Sequence, residues 1–175
     1  MSFDSVLAFV LEREGGFADD PDDPGGRTNF GVTQMTYDAY RTEDLNSVTM
    51  DVEDISEVEV QDIYRQRYWE AAQCGLIPHP LNLVHMDCAV NQGVKVAREN
   101  LQKAVGTTPD GVFGPQTLEA IARTIERGQV YDATNTYLWL RLAQYRHLAQ
   151  RRGSLLKFLP GWIRRLEHVQ DVAHR

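Results

Sequence analysis

The chain has 175 residues, of which 42% are hydrophobic and 25% charged. That is enough for one substantial core or for two small lobes sharing a cleft, and it excludes a disordered or repeat architecture. A net charge of −7 and a sequence pI of about 5.2 exclude the alkaline balance of a phosphate-tracking protein, so nucleic acid is not an expected partner. The charge is uneven: residues 1–75 hold 17 Asp and Glu against 5 Lys and Arg, while residues 76–175 hold 8 against 13. This fits an acidic lobe facing a more basic one, and equally fits two solvated surfaces.

At the N-terminus, Asp4 and Glu12 interrupt the apolar stretch, no basic region precedes it, and no small-residue cleavage site follows. The expectation is synthesis in a cytoplasm without a signal peptide. No run approaches the roughly 18 apolar residues of a membrane span. Residues 3–14 read as a helix with Phe3, Val6, Leu7, Val10 and Leu11 on one face, stopped by Gly15-Gly16. Residues 17–31, rich in Pro, Gly and Asp, read as loop or a short irregular hairpin. Thr33 caps a helix over 34–42, and a short acidic helix is expected near 49–54. Ser56 with Glu59 forms a capping box opening a helix through Ile63, Tyr64, Tyr68 and Trp69.

The stretch from Gly75 to Pro80 is the clearest internal boundary, giving lobes at 1–75 and 76–175 of one unit. The second half reads as helical throughout: 81–91, 96–105, then a turn at 110–115 with Pro115 suited to a first helical turn. Helices over 116–127, 130–151 and 162–173 follow, with Tyr131, Thr134, Leu138, Leu142, Tyr145 and Leu148 striping the longest. The expected fold is mainly α.

Glu14 is the first chemical candidate. Read in the last turn of an apolar helix, it lies by the negative end of the macrodipole, where a carboxylate is disfavoured. Phe17 and the apolar face add desolvation, and Gly15 and Gly16 leave room for a bulky sugar. A glycosidase needs a carboxylic acid to protonate the leaving oxygen and a second group opposite it. By position alone Glu14 is also readable as a solvated residue at a frayed helix end.

The segments around it carry a resemblance. Glu14-Gly15-Gly16, Asp23-Pro24-Gly25-Gly26, Thr28 and Gly31 reproduce an E-G-G…D-P-G-G-x-T-x-x-G signature. Further matches are Ile63-Tyr64, Tyr68-Trp69, Asp87 through Gly93, Leu101 through Gly106, Asp110 through Gly114, and Phe158 with Gly161-Trp162 and Arg165. Nearly the whole chain thus resembles the glycoside hydrolase 108 lysozymes, N-acetylmuramidases of phages, prophages and bacterial export clusters, with their predicted peptidoglycan-binding region at the C-terminal end. The resemblance implies a lysozyme-like, two-lobed helical fold. It also implies cleavage of the β-1,4 bond between N-acetylmuramic acid and N-acetylglucosamine, with Glu14 as the acid. The rivals are a lytic transglycosylase using the same glutamate and a non-catalytic wall-binding or phage structural module.

The second catalytic group stays open among Asp23, Asp20 and a water held by Thr28, and so does retention or inversion. Asp23 is also readable as a turn former. Tyr68, Trp69 and Trp162 read as sugar-stacking platforms or as core aromatics. Asp87 and Asn91, one helical turn apart, read as sugar contacts or as mutually satisfied polar groups. Asp19 through Gly25 faintly resembles a calcium loop, but from Asp20 Pro24 blocks a ligand position and Gly31 stands where the bidentate Glu belongs. No metal or other cofactor is expected. Cys74 and Cys88 are expected reduced. The expected partner is peptidoglycan, met by a monomer after release through a holin or an export system, without membrane insertion.

Overall fold

The structure, a computed structural model, describes residues 1–12, 14–18, 26–42 and 50–175. These form eight α-helices and one two-stranded hairpin, packed as two units: Ser2–Arg67, and Tyr68–Arg175 together with Met1. The chain passes between them within a π-helical turn, Arg65–Glu70, upstream of the Gly75–Pro80 stretch.

In the first unit, Ser2 caps α1 (Phe3–Leu11) by accepting from the Ser5 amide, and Phe3, Val6, Leu7, Phe9 and Val10 are buried. The helix stops at Leu11, with Glu12 as its C-cap, before the glycines rather than at them. Gly15 and Gly16 do not adopt the left-handed conformation expected of a glycine stop. The hairpin pairs β1 (Thr28–Asn29) with β2 (Val32–Thr33). Its two turn residues, Phe30 and Gly31, both have positive φ (48° and 73°), as a type I′ turn requires. Backbone bonds in both directions tie Thr28 to Ala18.

Thr33 caps α2 (Gln34–Arg41), as the sequence predicts. Asp51 caps a 3-10 turn, Val52–Asp54, and the Ser56–Glu59 capping box opens α3 (Glu57–Tyr64). Tyr37 and Arg41 both donate to Glu59 Oε1, at 3.0 and 2.9 Å, and so lock α2 to α3. Burial pushes the Glu59 carboxyl up, but the bonds from Ser56, Tyr37 and Arg41 outweigh it and hold it below the usual value.

The second unit is built around α4 (Leu81–Gln92). Every residue from Leu81 to Ala89 is buried, so this helix is surrounded rather than amphipathic. It packs on α5 (Val94–Ala104), α7 (Val130–Arg151) and α8 (Leu159–Ala173), and α6 (Pro115–Glu126) packs on α7. The Gln102 side chain organises the turn before α6, donating to Asp110 Oδ1 and Val112 O and accepting from the Gly111 amide.

Two further expectations need correction. The buried stripe of α7 runs through Ala133, Thr134, Tyr137, Leu138, Arg141, Tyr145 and Ala149, whereas Tyr131 and Leu148 are exposed. The core face is rotated because Tyr137 and Arg141 are buried, the Tyr137 hydroxyl donating to Ala97 O and the Arg141 guanidinium paired with the Asp87 carboxylate. α8 begins at Leu159, not 162, because Pro160 fits a helix's first turn, where its missing N–H costs nothing. Cys74 and Cys88 are buried and free. No helix among the described residues is long and apolar enough to cross a membrane. The fold is mainly α, as expected.

Candidate active site

Glu14 lies beyond the end of α1, so its placement owes little to the macrodipole, whose influence fades outside the last turn. Its carboxyl lies against the hairpin turn. The point where a Cβ on Gly31 would stand is 2.8 Å from Glu14 Oε2 and 2.7 Å from Tyr64 Oη. Gly31 is thus required twice, by its φ of 73° and by the two oxygens occupying side-chain space. Tyr64, buried at the end of α3, donates to Phe30 O at 3.0 Å and so pins the same turn. Glu14 itself is half-buried.

The hairpin is braced from its other side. Asn29 is buried and donates to Val52 O and Glu53 O, at 3.3 and 3.0 Å. Arg27 pairs with Asp51 and Glu53, and its guanidinium lies 5.1 Å from the Phe17 ring centre. The Glu53 amide and then Arg27 hold the Asp51 carboxyl below its ordinary value, although partial desolvation opposes them. Thr28 lies on β1 paired with Thr33, on the face of the strand opposite buried Asn29. A Cβ on Gly15 or Gly16 would meet nothing within 4 Å. A half-buried carboxyl with open backbone beside it can act as a proton donor to a bulky substrate.

Asp20 and Asp23, and the Asp19–Gly25 stretch compared with a calcium loop, lie outside the described residues. Among the described residues no group of three or more His, Cys, Asp or Glu is placed to hold a metal. Tyr64 has a place in the sequence motif but no role there; only the fold brings its hydroxyl to the Phe30–Gly31 turn.

Tyr68, Trp69, Asp87, Asn91 and Trp162 belong to the second unit. Tyr68 and Trp69 are half-buried in the π turn. Asp87 is wholly buried: Arg165 Nε donates to Oδ1 at 2.8 Å, and Arg141 Nη2 lies 2.8 Å from Oδ2. The Asp87 carboxylate therefore faces two arginines, not Asn91. Burial pulls Arg141 down, but the Asp87 carboxylate, together with the neighbouring Cys88, Tyr145 and Tyr137, outweighs it and keeps the guanidinium charged. Asn91 is exposed and donates to Asp87 O at 2.7 Å. Trp162 stacks on Tyr145 at 4.9 Å and beside Phe158 at 6.2 Å.

Residues 7–93 match the family described as "Glycosyl hydrolase 108", and residues 96–167 match the one described as "Predicted Peptidoglycan domain". Among solved structures, the chain is similar to one titled "Structure of Brucella abortus SagA". The two are 31% identical, with 98% of this chain and 92% of that chain covered and a TM-score of 0.80. No curated protein matches the chain. Likeness at that identity over nearly the full length of both chains carries family as well as fold, and the matched region contains the Glu14–Gly31–Tyr64 cluster. The chain belongs to the glycosyl hydrolase 108 family, and with the peptidoglycan domain that follows it is a peptidoglycan-degrading glycoside hydrolase.

Proposed function

We propose that the protein is a muramidase that hydrolyses the β-1,4 bond between N-acetylmuramic acid and N-acetylglucosamine, with Glu14 as general acid. The observation that carries this reading is the Glu14 carboxyl, half-buried against a glycine turn pinned by Tyr64, with open backbone at Gly15 and Gly16. Glu14 gives its proton to the glycosidic oxygen as the bond to the anomeric carbon of N-acetylmuramic acid breaks. Positive charge develops on that sugar, and Asp23 balances it or takes a proton from water. Thr28, able to donate and accept, orients that water. Water supplies the new anomeric hydroxyl, and the leaving N-acetylglucosamine keeps the transferred proton as its free hydroxyl. The roles of Asp23 and Thr28 rest on their places in the family signature.

Mass spectrometry of purified sacculi after digestion tests the reaction. Hydrolysis leaves a reducing N-acetylmuramic acid end, heavier by one water than the 1,6-anhydro product of a transglycosylase. Anhydro ends, or released peptides with intact glycan, overturn the assignment.

A further inference from the structure

Helices α7 and α8 leave between them a groove of about 650 Å³, formed entirely within the second unit. Its apolar floor includes Leu138 and Leu166, which are almost fully buried, together with Leu142 and Ile163. Trp139 stands on one wall with 67% of its surface exposed, whereas Trp69 and Trp162 are half-buried. One end is tied by a 3.0 Å bond between His174 Nε2 and Asn135 Oδ1, with the Tyr131 ring 5.6 Å from that of His174. The rim carries Arg146 from α7 and Glu167 and Gln170 from α8: a cation, an anion and an amide.

The exposed indole of Trp139 beside an apolar floor offers a ring face on which a partner can stack. The mixed rim does not select a strongly charged ligand. It suits one with an apolar face bordered by hydroxyl and amide groups, which is the surface of an N-acetylated pyranose. Eight of the ten lining residues fall within the stretch matching the peptidoglycan domain. We propose that this groove is a glycan-binding subsite, in which an N-acetylated sugar of the peptidoglycan strand stacks on Trp139 and is hydrogen-bonded by Arg146, Glu167 and Gln170. The inference rests on peptidoglycan being the substrate, and adds where and how the second unit holds it.

The test uses the full chain carrying Glu14→Gln, so that the strand is not cut during the assay. Co-sedimentation is measured with intact sacculi and with glycan strands stripped of stem peptides by an amidase. Binding to both is expected, with Trp139→Ala weakening it about tenfold or more and Trp139→Phe retaining most of it. Arg146→Ala, at an exposed rim position, should weaken it independently. Three results overturn the subsite: Trp139→Ala binding as tightly as its parent, binding to intact sacculi but not to stripped strands, or a Trp139-dependent dimer that forms without glycan. Failure of the muramidase reading is distinct, because it appears as wild-type protein that leaves sacculi uncut whatever residue occupies position 139.

Discussion

Gly31 and Glu14 are seventeen positions apart, yet the lack of a side chain on one makes room for the carboxylate of the other. Gly31→Ala combines a strained φ with a clash against two oxygens. It should cost about 1–3 kcal/mol in urea unfolding and lower the rate of peptidoglycan clearing more than the lost stability explains. Gly16→Leu separates the two effects. A Cβ at this position meets nothing within 4 Å beyond its chain neighbours, so stability should change by less than about 0.5 kcal/mol while clearing falls, because the space is needed for substrate. A normal clearing rate in Gly16→Leu would contradict the placing of the substrate there. Asp87→Asn is the converse case. It leaves the Arg141 charge buried without its anion and should cost about 3–5 kcal/mol, with catalysis by the remaining folded protein little changed.

α4 carries a pH dependence. His85 is fully buried, with Nε2 2.9 Å from Ala72 O and Nδ1 3.1 Å from the Tyr137 hydroxyl. That hydroxyl also bonds Ala97 O, so its one proton is shared between two acceptors. Burial lowers the His85 pKa from 6.5 to about 4. Above pH 6.5 the residue is neutral folded or unfolded and contributes no slope. Between about 6.5 and 4 the unfolded chain takes up a proton that the folded chain refuses, so stability falls with falling pH, by up to about 3 kcal/mol from this group. Urea midpoints at pH 7.5 and 4.5 measure it, and His85→Gln should flatten the difference.

The same scale shows what local sequence carries. The caps at Thr33 and Ser56, and the first-turn Pro115, act through neighbours three residues away or through one fixed dihedral, so they are legible in order. The face of α7 is not. Apolar spacing favours Tyr131 and Leu148 over Arg141, because nothing local reveals that Asp87 will neutralise an arginine in the core. The π turn after α3 has no local signal either.

For the whole molecule, motif order along the chain marks the enzyme family. Placing Tyr64 against the Glu14 turn, or Arg165 against Asp87, needs the tertiary fold, since those partners are brought together from distant elements. Both thiols sit in the second unit, where burial pushes Cys74 up to about 12 and Cys88 also upward. Neither should react with a thiol reagent at pH 8 until the protein is unfolded in urea. Rapid labelling of the native protein would show that this core opens. The most direct test of the account is the clearing of a turbid peptidoglycan suspension by Glu14→Gln beside wild type, with matched unfolding midpoints to establish folding. The account predicts a loss of about 10²–10⁴-fold, the contribution of a general acid; clearing at the wild-type rate would contradict it.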